Sequence, residues 1–332
     1  IPETHNFVAN DIIIHNSHAA SYGRVAYQTA YMKANFPGEY MTAVLTADSG
    51  DMEKVAEIIT ECQRMNIPVL PPDVNESLAQ FTLIKGAPGD GDKIRFGLES
   101  VKNVGTNIVE AIIQARGSDG KFSSLTDFAE KVKHKDFNKK SFESLVKCGA
   151  LDGLGERNQL IGNLELILEY NRDSQKIKST GQNSLFSLTP EVYTYSIRLR
   201  NVEPATKRER LTWEKELLGL YVTEHPIQEY IEKLKANHVL PLKDLVLETS
   251  NRFVSVGGVV SNVQKIITKS GEPMLFVKLE DLTSRIEVLV FPKILAKNPT
   301  IWQEEKVILV KGRLSDKDGV PKILCEEAVE II

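Results

Sequence analysis

The hydrophobic period of the chain changes near Arg252, and this change constrains the fold more than any other feature. Upstream, apolar residues recur with the spacing of amphipathic helices. Downstream, apolar and polar residues alternate in five runs, at 253–268, 274–282, 286–291, 306–314 and 323–331. Five short alternating strands, with a helical stretch near 293–302, predict a small β-barrel. The expected fold class is multidomain α+β, with helical regions followed by this five-stranded barrel.

Composition limits the class of protein. The 332 residues carry 41 Lys and Arg against 45 Asp and Glu, a net charge of -4. This charge excludes a strongly basic protein that coats nucleic acid through its overall positive charge. The length suggests two or three domains. No run approaches the 18 or so apolar residues that cross a bilayer, so we expect no membrane role. Three cysteines far apart indicate neither a disulfide framework nor a zinc site and favour a reducing, cytoplasmic setting.

Residues 4–17 read T-H-N-F-V-A-N-D-I-I-I-H-N-S, a run that resembles the C-terminal splicing blocks of inteins. An Asn side-chain amide can attack its own carbonyl and cut the following peptide bond when a neighbouring imidazole supplies protons. The resemblance makes Asn16 the cyclising residue and His15 that imidazole. His5 resembles the second histidine of these blocks, and Ser17 is the hydroxyl that receives the upstream segment. The alternative is an edge strand with polar ends.

The chain starts with Ile1 rather than Met, which suggests an excerpt of a longer precursor. The N-terminal splicing block, with its own nucleophile, does not occur in this sequence. We therefore expect only the cleavage before Ser17 to remain available to this chain. A split intein that supplies the front half in trans is a further variant.

Six longer motifs follow the splicing run. They are S-H-A-A-S-Y-G-R-V-A-Y-Q-T-A-Y-M-K-A-N-F-P-G-E-Y-M-T-A-V-L-T-A-D at 17–48, I-P-V-L-P-P-D-V-N-E-S at 67–77, I-R-F-G-L-E-S-V-K-N-V-G at 94–105, S-L-V-K-C-G-A-L-D-G-L-G at 144–155, W-E-K-E-L-L-G-L-Y-V-T-E-H-P-I at 213–227 and M-L-F-V-K-L-E-D-L-T-S-R-I-E-V-L-V-F-P at 274–292. In this order they resemble the bacterial DNA polymerase III alpha subunit.

The resemblance implies a division into six parts. These are an intein remnant (1–16), the end of the polymerase fingers (17–90), a helix-hairpin-helix DNA-binding region (91–170), a flexible linker with a sliding-clamp motif (171–210), a helical connector (211–250) and an OB-fold nucleic-acid-binding domain (251–332).

A helix-hairpin-helix module grips the DNA backbone through the free amides at the start of its second helix. Lys102 to Gly105 fits the hairpin, and the helix is predicted to begin at Thr106. Residues 149–155 are predicted to form a second such hairpin, before a helix near Arg157. Between residues 93 and 147, eleven Lys and Arg face seven Asp and Glu, so positive charge concentrates there. The predicted phosphate contacts are Lys102, Gly105, Lys139 and Lys140; an ordinary hairpin with a solvated lysine face is the alternative.

Gln182-Asn183-Ser184-Leu185-Phe186 resembles the pentapeptide by which bacterial polymerases bind the sliding clamp. In such motifs Gln182 would fill a polar subsite, while Leu185 and Phe186 would bury themselves in an apolar pocket. The polar tract around the motif is predicted to be extended and mobile. A linker with a local apolar pair is the alternative.

The barrel is predicted to bind single-stranded template by stacking bases on aromatic rings. The aromatic residues that could serve are Phe253, Phe276, Phe291 and Trp302. Period alone does not separate inward from outward residues, and we select Phe276, Lys278 and Arg285 as the contact residues.

A polymerase of this family needs acidic residues that hold two metal ions at the primer terminus. The resemblance places them, with their Mg²⁺, in a palm upstream of this chain, and no Asp or Glu here matches that motif. We therefore expect no cofactor in this chain and no polymerisation by it alone. Four residues of the matched fingers either face template and nucleotide or pack in the protein: Arg24, Tyr27, Gln28 and Lys33.

Two classes of function remain open from the sequence. The first is the C-terminal part of a replicative polymerase, which binds DNA and the sliding clamp. Its partners are DNA, the sliding clamp, the upstream polymerase portion and other replicase subunits. The second is a free-standing adaptor with OB and helix-hairpin-helix domains and no polymerase parent.

Overall fold

The computed structural model describes residues 6–9, 12–15, 18–87, 89–180, 197–245, 252–268, 270–315 and 320–331, and the backbone alone before residue 21. The chain divides into two compact units. The first comprises Ile1–Ala205 with Glu216–Leu220, and the second comprises Thr206–Lys215 with Tyr221–Ile332.

The first unit is mainly helical. Strands β1 (Asn6–Ala9) and β2 (Ile12–His15) form an antiparallel hairpin. The helices that follow are α1 (His18–Asn35), α2 (Pro37–Ala47), α3 (Met52–Arg64), α4 (Thr106–Asp119), α5 (Leu125–Lys131), α6 (Lys139–Lys147), α7 (Arg157–Gly162) and α8 (Leu164–Thr180). Between α3 and α4 lies a small sheet of order β3-β5-β4, formed by Val69–Leu70, Lys93–Arg95 and Thr82–Ile84.

Four phenylalanines form an aromatic chain through the core of the first unit. The ring centroids of Phe122 and Phe128 are 5.0 Å apart, those of Phe128 and Phe137 5.8 Å, and those of Phe137 and Phe142 5.4 Å. All three pairs meet edge to face, the geometry that the ring quadrupoles favour. Because these residues lie on α5, on α6 and in the loops before them, the chain of rings fixes the two helices against each other.

The linker predicted from 171 to 210 is helical at both of its ends in the structure. Helix α8 continues to Thr180, and Asn171, only 3% exposed, donates hydrogen bonds to the carbonyls of Ala129 (2.7 Å) and Val132 (2.8 Å). At the other end, α9 (Lys207–Leu218) begins before the predicted boundary. Polar composition suggested a linker, but a buried amide with two backbone partners holds the start of this segment in a helix.

Within the first unit, the backbone of residues 197–205 is held by hydrogen bonds to side chains from other parts of the unit. Thr126 Oγ1 accepts the amide of Ile197 at 3.0 Å. The side chain of Asn163 accepts the amide of Arg200 at 2.8 Å and donates to its carbonyl at 3.0 Å. These side-chain contacts replace the backbone partners that a strand would have.

The second unit joins a helical connector to a barrel. After α9 come a 3-10 helix (Pro226–Tyr230), α10 (Ile231–Ala236) and a second 3-10 helix (Leu242–Asp244). The barrel strands are β6 (Phe253–Ile267), β7 (Pro273–Glu280), β8 (Arg285–Val290), β9 (Val307–Ser315) and β10 (Lys322–Glu330), with α11 (Pro292–Lys297) between β8 and β9. The predicted five-stranded barrel is confirmed.

The barrel closes in the order β10-β8-β7-β6-β9. Strands β8 and β10 run parallel, and the other neighbours are antiparallel. Alternate residues fill the interior, such as Val277, Val288 and Ile323, which are fully buried. Helix α10 packs against the outside of β6 at Gly257. The close packing depends on this glycine, since a Cβ at that position would clash with Leu234 of α10.

Candidate nucleic-acid interface

The first hairpin of the helical unit is a tight turn between the 3-10 helix Leu98–Ser100 and α4. Val101 and Val104 are buried and anchor the turn, whereas Lys102, Asn103 and Gly105 are exposed. The amide of Val104 donates to the Val101 carbonyl at 3.1 Å. Asn103 has φ +67°, a left-handed conformation that Asn tolerates better than most residues. The sequence thus builds a hairpin whose tip faces solvent.

The N-terminus of α4 lies open at this hairpin. Its N-cap residue is Gly105, which makes no side-chain cap, and a Cβ there would meet nothing within 4 Å. Thr106 and Asn107 are exposed, and their amides precede the first residue that can bond within the helix. Open amides at the positive end of a helix dipole, close in sequence to the exposed Lys102, form an environment suited to a phosphate oxygen.

Helix α6 lies beside this hairpin. Asn103 Nδ2 is 3.3 Å from Ser144 Oγ, and Asn107 Nδ2 donates to Asp136 Oδ2 at 3.0 Å. The amides at the start of α6 are occupied, because Asn138 Oδ1 accepts two of them at 3.0 and 3.1 Å. The predicted contacts Lys139 and Lys140 are exposed on that first turn, so they offer side-chain charge rather than helix amides.

The second hairpin, residues 149–155, has a different construction. Gly149 has φ +87°, and the buried Arg157 lies where a Cβ would be. Helix α7 is capped by Glu156, whose carboxylate accepts the amide of Gln159 at 2.9 Å and that of Ala205 at 2.8 Å. This hairpin therefore carries carboxylates and a capped helix. The glycine spacing alone did not reveal the difference between the two hairpins; the acidic residues at 152 and 156 were the available signal.

The three barrel residues selected from sequence lie on the outside of β7 and β8. Phe276 is partly exposed and pairs with Leu289 across the strands. Lys278 is exposed and lies opposite Glu287. Arg285 is exposed, but its Nε lies 3.0 Å from Glu280 Oε2. Outward position agrees with a contact role for each, and the role itself stays a prediction.

The other aromatic residues considered in the barrel differ in solvent exposure. Phe253 and Phe291 are 55% and 42% exposed, whereas Trp302 is 4% exposed and belongs to the barrel core. Trp302 is therefore removed from the residues that could stack on a base.

Helix α1 carries the predicted fingers residues. Arg24, Tyr27 and Gln28 are exposed, and the Tyr27 ring lies 6.5 Å from that of Tyr31. Lys33 Nζ forms an ion pair with Glu61 Oε1 at 2.8 Å, and this hydrogen bond raises the pKa of Lys33 and lowers that of Glu61. Lys33 thus links α1 to α3. Contact of these four residues with template or nucleotide stays a prediction.

Several predicted residues lie outside the described part of the chain. They are the splicing residues His5, Asn16 and Ser17 and the clamp-motif residues Gln182, Leu185 and Phe186. Of His15 the structure describes the backbone, which pairs with Asn6 in the β1–β2 hairpin.

Neither a metal-ligand cluster nor a membrane-spanning helix occurs among the described residues. They contain no group of three or more His, Cys, Asp or Glu side chains that could hold a metal ion. No helix in the described ranges combines the length and apolarity needed to span a membrane.

Comparison with known proteins identifies both nucleic-acid modules. A helix-hairpin-helix motif family matches residues 66–160, and an OB-fold nucleic acid binding domain family matches residues 254–331. The predicted fold class is confirmed, with a helix-hairpin-helix region followed by a closed five-stranded OB-fold barrel.

The curated relatives include DNA polymerase III alpha subunits. The identity is 37% over 325 residues with the subunit of Saccharopolyspora erythraea, 34% over 324 with that of Pseudomonas aeruginosa and 33% over 321 with that of Escherichia coli K12. These alignments cover 95%, 91% and 95% of this chain and 27% of each relative. The chain is thus homologous to a part of the DNA polymerase III alpha subunit, and it spans about a quarter of the length of these relatives.

Proposed function

We propose that this chain is the C-terminal part of a replicative DNA polymerase III alpha subunit, made from an intein-containing precursor. It holds duplex and single-stranded template and the sliding clamp during chromosome replication in the cytoplasm. The other subunits of the replicase assemble with the same polymerase. The palm that binds Mg²⁺ and transfers nucleotides belongs to the three quarters of the relatives that this chain does not span.

The open N-terminus of α4 is the observation that carries this proposal. A helix-hairpin-helix region can bind a DNA backbone without reading bases when helix amides are available to a phosphate. Gly105, Thr106 and Asn107 meet that condition, and Lys102 adds a cation. Lys139 and Lys140 lie on the neighbouring helix, where they extend the positive charge along the backbone.

The polymerase parent is favoured over the free-standing adaptor by the extent of the homology. An adaptor that shared only two common modules with polymerases would match within those modules. The matches to polymerase subunits instead cover 91–95% of the chain, including residues outside both modules.

Two finer parts of the proposal rest on sequence motifs. The His15-Asn16-Ser17 junction supports release of Ser17 as a new N-terminus by Asn16 cyclisation, assisted by His5. The Gln182, Leu185 and Phe186 motif supports clamp binding, since two apolar hot-spot side chains can anchor a segment on a partner.

DNA binding is tested by a substitution that removes the backbone N–H of Thr106. Thr106 is the first residue of α4, where Pro is tolerated, and Gly105 already has the extended φ and ψ of -85° and 157° that a following Pro requires. Thr106→Pro should weaken duplex binding about tenfold, because a hydrogen bond to a charged group contributes about 1.5–3 kcal/mol. Fluorescence anisotropy with labelled duplex measures this.

Thr106→Ala is the matched control, since it removes the hydroxyl but keeps the amide. We expect it to bind as the unmodified chain does. Equal affinity of the Pro and Ala variants would show that the α4 amides do not hold DNA, and the proposal would lose its main support.

A further inference from the structure

Two of the six sequence motifs meet at the first hairpin. The amide of Lys102, in the motif at 94–105, donates a hydrogen bond of 3.0 Å to the carbonyl of Leu217, in the motif at 213–227. Residues 216–220, which we call the α9 end segment, belong to the first unit, as the hairpin does. The backbone of the hairpin is thus held by a segment far along the chain.

The α9 end segment is fixed in the core of the first unit. Leu217, Leu218 and Leu220 are all buried. Leu217 lies in the last turn of α9, where backbone carbonyls have no partner within the helix. The Lys102 amide supplies a partner for one of them, so a single hydrogen bond satisfies a helix end and a turn at once.

Gly219 ends α9 and brings this segment against α3. Its φ is +77°, the left-handed conformation that glycine commonly adopts after a helix. A Cβ at Gly219 would lie 2.7 Å from Cβ and 3.0 Å from Cγ of Met52, the first residue of α3. Both the turn of the backbone and the close approach to Met52 therefore require a residue without a side chain.

Side chains also support the hairpin, but they constrain it less. Val101 and Val104 are buried, and Asn103 Nδ2 lies 3.3 Å from Ser144 Oγ. Apolar packing is non-directional, whereas a hydrogen bond weakens steeply when its angle changes. The bond from Lys102 to Leu217 therefore restricts the orientation of the turn that leads into α4.

We infer that the α9 end segment positions the phosphate site of the first hairpin. Leu217 and Gly219 are positioning residues: they hold the turn at Lys102 so that the first amides of α4 face a DNA phosphate. They act through the bond to Lys102. This inference rests on the proposed DNA binding, and it gives the motif at 213–227 a role in that binding.

Hydrogen exchange at the Lys102 amide tests the contact directly in the full chain. Lys102 is exposed, so its amide should exchange with solvent unless the Leu217 carbonyl holds it. We expect NMR to show a protected amide, and we expect Gly219→Ala to accelerate its exchange about tenfold or more. Unprotected exchange of this amide in the unmodified chain would overturn the inference.

Duplex binding, measured by fluorescence anisotropy, tests the consequence. Gly219→Ala should lower affinity about tenfold, the loss expected when one hydrogen bond to a charged group is misplaced. Gly120→Ala is the matched control, because Gly120 has φ +80°, lies at the opposite end of α4, and a Cβ there would meet nothing within 4 Å. It introduces similar backbone strain and should bind duplex as the unmodified chain does. Equal affinity of the two variants would refute the positioning role.

A double variant separates positioning from a general loss of stability. Thr106→Pro should weaken binding about tenfold in the unmodified chain and much less in the Gly219→Ala chain, because an amide that is already misplaced has little to lose. A full tenfold effect in both chains would contradict the inference.

Gly219→Asn replaces Gly219→Ala in these measurements if the latter does not fold, since Asn tolerates a positive φ but still directs a side chain at Met52. Equal binding by Thr106→Pro and Thr106→Ala in the unmodified chain would instead overturn the proposed DNA binding, while protection of the Lys102 amide would be unaffected.

Discussion

The guanidinium group of Arg157 lies against the carboxylate of Asp152, with Nε 2.8 Å from Oδ1 and Nη2 2.7 Å from Oδ2. The remaining nitrogen, Nη1, donates to the Lys147 carbonyl at 3.0 Å. Arg157 is 3% exposed, so the arginine at the start of α7 is buried behind the second hairpin. The sequence predicted a helix near Arg157 after this hairpin, and in the structure the bonds of Arg157 hold the hairpin together.

Arg157→Ala is expected to destabilise the protein by about 2–3 kcal/mol, because it leaves the Lys147 carbonyl and the Asp152 carboxylate without their partner. Urea unfolding measures the loss. Arg157→Lys should recover only part of it, since an ammonium group cannot reproduce the two-pronged contact. Lys133→Ala, at an exposed lysine of the same unit, is the control and should be neutral. Full stability of Arg157→Ala together with weaker DNA binding would make Arg157 a DNA contact after all.

The sequence predicted the elements whose pattern is local. Alternation gave the five strands, because an OB barrel has one buried and one open side along most of each strand. The hairpin at Lys102 to Gly105 followed from the family resemblance of one continuous motif, residues 94–105. What escaped prediction depends on distant partners: Asn171 is helical because of the Ala129 and Val132 carbonyls, 42 and 39 residues away.

The candidate site shows the same limit. Phe276, Lys278 and Arg285 proved to be outward-facing, but their cross-strand partners could not be foreseen, since those depend on the register between strands. Likewise, Trp302 resembled a stacking residue until its burial in the barrel core was known.

The clamp motif is expected to act independently of the DNA sites. Changing Leu185 and Phe186 together to Ala should abolish recovery of the chain on immobilised sliding clamp, because both apolar anchors are lost. Duplex binding should be unchanged. Leu188→Ala, at an apolar residue just outside the motif, is the control and should retain clamp binding. Retention by the double variant would refute the clamp assignment.

Splicing chemistry makes a separate prediction for the precursor. With the upstream intein present, Asn16→Ala should prevent release of Ser17 as a new N-terminus, because alanine has no side-chain amide to form the succinimide. Mass spectrometry of the products detects that terminus. Asn10→Ala, in the same segment, should still release it. Normal release from Asn16→Ala would contradict the assigned role.

His225 is expected to make the barrel unit less stable in mild acid. Its Nδ1 accepts the amide of Ile227 at 3.3 Å, and burial lowers its pKa below the ordinary 6.5, opposed by Glu280, Asp281 and Glu305 and reinforced by Lys215. Because the unfolded chain binds a proton more readily, the stability contribution is complete above about pH 6.5 and is lost as pH falls through the lowered folded value.

Tryptophan fluorescence reports on this unit, since both tryptophans, Trp213 and Trp302, belong to it. His225→Asn keeps an acceptor for the Ile227 amide but cannot titrate, so its melting temperature should fall less on acidification than that of the unmodified chain. An identical fall in both would remove His225 as the cause.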